Sequence, residues 1–231
     1  RPVGYAAMML QAGDADGFVG GLTTPYAETL RPALQIIGQD PSIRTVSGVY
    51  IMLFKSRVFF FGDCTVNILP PPEQLAQIAI NTARLAESLG YSPRVAMLSY
   101  SDFGEHRDNP EVTKIPEAIK LVKQRWPELV IDGEMQADSA VNAELSAGDF
   151  PFSAIQGDAN VLIFPGLASG NIAYKLLREL GGATAVGPVI MGLRRPVNVL
   201  ALGANVSDIV NMAALTVHQA LELEARGASH G

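Results

Sequence analysis

The sequence predicts a soluble α/β protein whose mostly parallel sheets are covered by helices. Apolar runs rich in Val, Ile and Leu alternate with segments of helical period along most of the 231 residues. Several of these runs are uninterrupted, which is typical of strands buried on both faces. A hydrophobic content of 48% with 17% charged residues can fill the core of one large domain or two small ones.

The first part of the chain alternates helices with strands and contains one hairpin. Lys55 and Ser56 separate two apolar strand-like runs and indicate a turn. Pro72 begins an amphipathic segment that Gly90 ends, as expected of a helix. The elements predicted here are a helix over 5–12, a strand over 17–21, a helix over 25–37, strands over 46–54 and 58–62, and a helix over 72–89.

The second part continues the alternation and closes with a long helix. Ser207 and Asp208 fall in the first turn of that helix, and Gly181 with Gly182 ends the helix before it. The elements predicted here are strands over 94–99, 129–132, 160–164 and 189–191, helices over 110–125, 168–180 and 205–224, and a polar loop over 101–109.

Composition excludes several classes of function. The net charge of −6 and the scattered Lys and Arg residues argue against a nucleic-acid partner. No segment has the roughly 20 uncharged apolar residues of a membrane span, and no signal peptide is visible. The single cysteine, Cys64, rules out an internal disulfide framework and fits a reducing compartment. We therefore expect a cytoplasmic protein without a membrane partner.

No metal site is expected. Asp14 and Asp16 form an Asp-x-Asp pair of the kind that turns use. The three histidines, His106, His218 and His230, have no ligand spacing.

Three segments are candidates for binding a small anion. In parallel sheets, ligands lie beyond the carboxyl ends of the strands, where glycine-containing loops lead into helices. Segments 99–104, 165–171 and 200–208 have this pattern. Backbone N–H groups and the helix dipole at such places favour phosphate or carboxylate.

An ordered series of motifs resembles the phosphate acetyltransferase (phosphotransacetylase) family from end to end. The motifs are segments 13–17, 30–32, 63–64, 96–101, 132–138, 159–165, 170–175, 187–193 and 195–198. The resemblance implies a fold of the isocitrate and isopropylmalate dehydrogenase kind, with two α/β/α lobes around a cleft. It places 1–40 with 189–231 in one lobe and 41–188 in an inserted second lobe. It also implies a homo-oligomer, dimer or higher, and a first part of the fold upstream of Arg1.

The family's reaction moves an acetyl group between coenzyme A and phosphate. In the family an Asp helps to deprotonate the thiol, and a Ser-Arg pair with a second Arg handles the phosphate. Here Asp208 matches that Asp, and Arg31 matches the second Arg. The Ser-Arg pair is replaced by Ala201 and Leu202. Losing one such donor costs about 10²- to 10³-fold in rate, so we expect acetyl transfer to be lost.

The same departures suggest a regulatory role. Glu105, in a loop that is rich in Ser and Gly in the family, would repel phosphate. Segments 101–104, 132–140 and 208–215 are similar to the C-terminal domain of bacterial NADP-dependent malic enzymes. We therefore expect an acetyl-CoA-binding regulatory and oligomerisation domain without a cofactor of its own. Malate decarboxylation, NADP and a divalent metal would then belong to an upstream portion.

Two other functions stay open. An active phosphate acetyl- or butyryltransferase would move an acyl group between CoA and phosphate. A dimerisation module would bind no ligand.

Each candidate ligand residue also has a structural alternative. We expect Arg31, Ser99, Ser101, Asn171 and Asp208 to bind acyl-CoA or phosphate. Asp208 and Asn171 could instead cap helices, and Arg31 could form a surface salt bridge. The two serines could cap a loop through their hydroxyls.

Overall fold

The computed structural model describes residues 2–43 and 45–228. The elements in chain order are α1 (Pro2–Ala12), β1 (Phe18–Gly21), α2 (Tyr26–Ile36), β2 (Ser47–Leu53), β3 (Val58–Gly62), α3 (Pro72–Ser88), β4 (Arg94–Leu98), α4 (Pro110–Arg125), β5 (Val130–Met135), α5 (Ala137–Val141), α6 (Ala143–Asp149), β6 (Val161–Ile163), α7 (Leu167–Glu179), β7 (Thr184–Met191), β8 (Val197–Leu200) and α8 (Val206–Ala228). None of the helices within these residues is long and apolar enough to cross a membrane.

Two sheets organise the strands. The larger has the order β5-β4-β6-β3-β2-β7, and the smaller pairs β1 with β8. Strands β5, β4, β6 and β3 run parallel, whereas β2 and β3 form an antiparallel hairpin around the predicted turn. β1 and β8 are also parallel. The predicted α/β fold with mostly parallel sheets is therefore confirmed.

The chain divides into two compact units. The first consists of Arg1–Gly48 and Val186–Gly231, and the second of Val49–Ala185. The family resemblance implied two lobes around a cleft, one of 1–40 with 189–231 and one of 41–188. This division stays a prediction.

The core of the second unit lies on one face of its parallel sheet. Phe61, Phe164 and Leu162 are buried there with Cys64. The Phe61 and Phe164 rings meet edge to face with centroids 5.1 Å apart, a favourable aromatic geometry. Helix α3 covers the other face and is buried along most of its length. Helices on both sides leave only the strand ends and their loops available for function.

Three short elements were not predicted. In β8, the polar Asn198 interrupts an apolar run of only four residues, so the strand lacks a clear sequence signature. Helices α5 and α6 are five and seven residues long. Asn142 caps α6 by accepting hydrogen bonds from the amides of Glu144 and Leu145. A short helix that depends on its cap and its packing gives a weak periodic signal.

Candidate functional site

Three loops of the second unit meet at the carboxyl edge of its sheet. They follow β3, β6 and β4, which are neighbours in the sheet and run parallel. The predicted segments 99–104 and 165–171 are two of these loops. The topology therefore brings Ser99, Ser101 and Asn171 to the same edge, as expected for a ligand-binding end of such a sheet.

The loop after β3 is organised by one buried carboxylate. Asp63 is 2% exposed. Its Oδ1 accepts hydrogen bonds from the amides of Thr65 (2.9 Å) and Val66 (3.2 Å). Its Oδ2 accepts from the amide of Asn67 (2.8 Å) and from the Asn67 side chain (2.6 Å). Because several donors satisfy the charge, the carboxylate can stay buried and hold the loop in one conformation.

Asn171 connects helix α7 to that loop. Its Nδ2 donates to the carbonyl of Cys64 over 3.1 Å. The alternative of a helix N-cap is wrong, because α7 already begins at Leu167 with Gly166 as its N-cap. Gly170 permits the close packing, since a Cβ there would lie 2.8 Å from the carbonyl oxygen of Asp63.

The thiol of Cys64 is inert in this position. Its side chain is fully buried, and its Sγ contacts the carbonyl of Phe61 at 3.7 Å. Burial, and secondarily the charge of Asp63, raise the pKa of the thiol well above its ordinary value. A thiol that stays protonated is a poor nucleophile, so the interpretation of Cys64 as a structural residue agrees with its environment.

The first turn of α7 has backbone donors that the helix itself does not satisfy. The amide of Leu167 donates to the carbonyl of Ile68 at 3.0 Å. The next two amides, of Ala168 and Ser169, have no acceptor inside the helix because they belong to its first turn. Such amides, together with the helix dipole, suit an anion.

The two serines after β4 differ in their environments. The hydroxyl of Ser99 accepts a hydrogen bond from the amide of Ser101 at 3.2 Å, which is the loop-capping role. Ser101 is fully buried, and its hydroxyl has no hydrogen-bond partner among residues 2–43 and 45–228. The backbone of this loop is fixed to the end of β5, since the amide of Ser99 donates to the carbonyl of Met135.

Lys114 supports this edge but was not singled out from the sequence. Its side chain is 8% exposed, and its Nζ donates to the carbonyl of Pro165 at 2.8 Å. The same Nζ forms an ion pair with Glu111 at 2.5 Å. A buried ammonium with both partners ties α4 to the loop that precedes α7. A lysine on an amphipathic helix ordinarily points to solvent, so its sequence position gave no signal.

The third predicted segment lies in the first unit, between β8 and α8. Asn205 and Asp208 form a reciprocal cap at the start of α8. The Asp208 amide donates to Asn205 Oδ1 at 3.0 Å, and the Asn205 amide donates to Asp208 Oδ2 at 2.9 Å. The capping role of Asp208 is therefore present in the structure. It leaves Oδ1 of the half-buried carboxylate for another partner.

A buried polar network anchors both elements that flank this loop. Asn198, on β8, is fully buried. It accepts from the amide of Ile190 (2.8 Å) and donates to Thr216 Oγ1 (2.8 Å) and Gln219 Oε1 (2.7 Å), both on α8. Gln219 in turn donates to the carbonyl of Ile190 at 3.0 Å. A satisfied network of this kind fixes register and orientation.

The two substituted family positions are exposed on this loop. Leu202 has 63% of its surface exposed, and Ala201 is exposed as well. Arg31 is also exposed, on helix α2. Helices α2 and α8 each follow one of the paired parallel strands β1 and β8. Arg31 and the 201–208 segment therefore extend from the same edge of the smaller sheet.

The part of the chain that the structure describes contains no cluster of His, Cys, Asp and Glu suited to a metal ion. Its candidate chemistry consists of backbone amides, one arginine, hydroxyl groups and carboxylates.

Comparison with known proteins shows which family this chain belongs to. Residues 1–217 match the family model described as phosphate acetyl/butaryl transferase. A phosphate acetyltransferase of Nitratidesulfovibrio vulgaris is 45% identical over 95% of this chain, which spans 31% of that protein. One of Bacillus subtilis is 43% identical over 94% of the chain and 67% of the relative. A phosphotransacetylase structure from Streptococcus pyogenes has a TM-score of 0.91 at 42% identity and covers 95% of this chain and 67% of that one.

The expectation of a regulatory malic enzyme domain without acetyl transfer is wrong. Relatives that are 42–45% identical over 94–95% of this chain are named phosphate acetyltransferases. The oxidoreductase activity that the expectation implied is wrong with it. The expectation gave too much weight to Ala201 and Leu202, which are two exposed side chains on one loop. Their substitution leaves the Asn198 network and the Asp208 cap in place. That this chain uses no cofactor stays a prediction.

Proposed function

Since this chain belongs to the phosphate acetyl/butaryl transferase family, we propose that it moves an acyl group between coenzyme A and inorganic phosphate. The observation that carries the proposal is the 42–45% identity with phosphate acetyltransferases over 94–95% of the chain. Acyl-CoA and phosphate are accordingly its proposed ligands. A homo-oligomer belongs to the same proposal.

The transfer itself is an acyl substitution. A phosphate oxygen attacks the thioester carbonyl, the carbon–sulfur bond breaks, and CoA leaves as a thiolate that takes up a proton. In the reverse direction the thiol loses that proton and its sulfur attacks the acyl phosphate. The catalyst must therefore hold an anionic phosphate, stabilise charge on the carbonyl oxygen and move one proton.

We assign the proton to Asp208 and the phosphate charge to Arg31. Asp208 accepts one backbone hydrogen bond through Oδ2, so Oδ1 can accept a proton from the thiol. Arg31 is exposed and forms no hydrogen bond or ion pair with the described residues, so its planar guanidinium is available for two phosphate oxygens.

The second unit has fixed neutral donors of its own that suit an anion. They are the α7 amides of Ala168 and Ser169, which have no acceptor inside the helix, and the hydroxyl of Ser101, which has no partner among the described residues. Asn171 supports them by joining α7 to the Cys64 carbonyl. Ser99 acts through the loop that its hydroxyl caps.

The substitutions at Ala201 and Leu202 set an expectation for the rate. This loop has Ala201 and Leu202 where the family resemblance implies a Ser-Arg pair. Fewer donors therefore stabilise the charge on the phosphate and on the carbonyl oxygen. Removing one preorganised donor costs about 10²- to 10³-fold. We therefore expect measurable but slow turnover with a high KM for phosphate.

The test is phosphate-dependent release of CoA from acetyl-CoA and butyryl-CoA by the purified protein. Free thiol and acyl phosphate are measured in the same samples, and the two should form in equal amounts. Arg31→Gln should raise the KM for phosphate. Arg31→Lys, which keeps the positive charge, should raise it less. Thiol release that does not depend on phosphate, or the absence of acyl phosphate with both substrates, would contradict the proposal.

A further inference from the structure

A pocket of about 600 Å³ lies wholly within the second unit, beside the loop that follows β4. The loop after β4 forms one wall, the first turns of α4 a second, and the end of β5 the floor. Its volume falls in the range of about 300 to 1,000 Å³ that small-molecule sites occupy. The residues that matter for its chemistry are Phe103, Arg107, Val112, Pro116, Glu134 and Phe152.

A buried carboxylate lies at the floor of this pocket with one oxygen unused. Glu134 is 1% exposed. Its Oε1 accepts a hydrogen bond from the amide of Gly104, and no residue that the structure describes donates to Oε2. Oε2 is therefore the oxygen that remains for a donor on a ligand in the pocket.

A guanidinium lies near the carboxylate without pairing with it. Arg107 Nε donates to the carbonyl of Gly104 at 3.2 Å. Its terminal nitrogens have no acceptor within the described ranges, and Arg107 forms no ion pair with Glu134. Two groups of opposite charge therefore line the same pocket, with Oε2 of Glu134 and the terminal nitrogens of Arg107 left for a ligand.

The spacing of the two charges limits the ligand. Both side chains bind the backbone of Gly104, so the Glu134 carboxylate and the Arg107 guanidinium are at most about 9 Å apart, from two hydrogen bonds and one residue's length. The pair therefore suits one small ligand that carries a donor and an anion close together.

The remaining wall is apolar and aromatic. The rings of Phe103 and Phe152 meet edge to face with centroids 4.9 Å apart. Phe152 is 69% exposed, although a ring of this size is normally covered. Val112 and Pro116 on α4 complete the apolar lining. An apolar group in the pocket would cover these surfaces.

We propose that this pocket binds a free α-amino acid with a large apolar side chain. The α-ammonium donates to Glu134, the α-carboxylate accepts from Arg107, and the side chain packs on Phe103 and Phe152. An α-amino acid carries its ammonium and its carboxylate on one carbon atom, so a single small molecule can engage both groups. A simple amine leaves Arg107 unused, and a simple carboxylate leaves Glu134 unused.

Calorimetry on the purified protein tests the proposal with L-phenylalanine and L-leucine as probes. The expected result is saturable binding of at least one probe in the millimolar range or tighter. N-acetyl-L-phenylalanine lacks the ammonium and L-phenylalaninamide lacks the carboxylate, so each should bind at least about tenfold more weakly. Glycine, which lacks the apolar group, should show the same loss.

Variants locate the site. Arg107→Gln should weaken binding of L-phenylalanine by at least about tenfold, and Phe152→Ala should weaken it as well. Glu105→Gln is the matched control, because Glu105 lies exposed on the same loop outside the pocket lining, and it should bind like the parent. Absence of binding by both probes would overturn the proposal, as would equal binding by the N-acetyl compound or undiminished binding by Arg107→Gln. These measurements need no acyl transfer, so their failure and that of the proposed function are distinguishable.

Discussion

The reciprocal cap between Asn205 and Asp208 allows catalysis and helix stability to be separated. Replacing Asp208 with Asn keeps an oxygen that can accept from the Asn205 amide, but it removes the negative charge. Replacing Asn205 with Ala removes the partner acceptor of the cap and keeps the Asp208 carboxylate. The two single changes therefore affect different properties of the same helix start.

The expected magnitudes are well separated. Loss of the Asn205 acceptor should cost about 1 kcal/mol of unfolding free energy, which corresponds to about 2 to 4 °C in Tm for a chain of this size. Loss of the Asp208 charge costs only its interaction with the helix dipole, about 0.3–1 kcal/mol. Loss of a proton acceptor lowers kcat by about 10²- to 10⁴-fold. Asp208→Asn should therefore be stable and slow, and Asn205→Ala less stable and active.

Thermal unfolding followed by circular dichroism and the acyl-phosphate assay together measure both effects. Assays are run well below the lowest Tm, so that all variants are folded. If Asn205→Ala and Asp208→Asn lose activity equally, Asp208 acts only through the cap and its assignment to the thiol proton is refuted.

Three further changes test other parts of the account. The double substitution Ala201→Ser with Leu202→Arg should raise kcat/KM for phosphate by about 10²-fold or more, and an unchanged value would show that this exposed loop does not contact phosphate. Gly170→Ala should destabilise the protein by about 1–3 kcal/mol, because its Cβ would lie 2.8 Å from the Asp63 carbonyl oxygen. The control Gly148→Ala, where a Cβ meets open space, should not destabilise the protein. Denaturant titration measures both changes. Burial raises the pKa of Cys64, so the folded protein retains a thiol proton that the unfolded chain loses above the ordinary thiol pKa of about 8.5. Above that pH, this group should therefore lower the free energy of unfolding by up to about 1.4 kcal/mol per pH unit. Cys64→Ala should abolish its contribution to the pH slope in denaturant titrations.

The alternation of apolar runs and amphipathic segments predicted most of the fold because it reflects burial directly. The hairpin around Lys55 and Ser56 and the long helices appear at nearly the predicted positions. The short elements β8, α5 and α6 could not be predicted, since a buried Asn198 and a cap at Asn142 have no periodic signature. Tertiary contacts stabilise these elements more than local propensity does.

The candidate site was predictable only in part. Parallel topology indicated which loops share an edge, and it places Ser99, Ser101 and Asn171 there. The partners of Lys114 and Glu134 are far away in the chain, at Pro165 and Gly104, so only the folded structure shows why these charges are buried. Family motifs also outweighed the argument from single substitutions, because one loop can change while the rest of the site persists.

The central claim is tested most directly by incubating the purified protein with acetyl-CoA and inorganic phosphate and measuring acetyl phosphate, with butyryl-CoA as a parallel substrate. We predict acyl phosphate and free CoA in equal amounts, formed at a rate that rises with phosphate and falls strongly in Asp208→Asn. Acyl phosphate absent at all phosphate concentrations with both thioesters would contradict it.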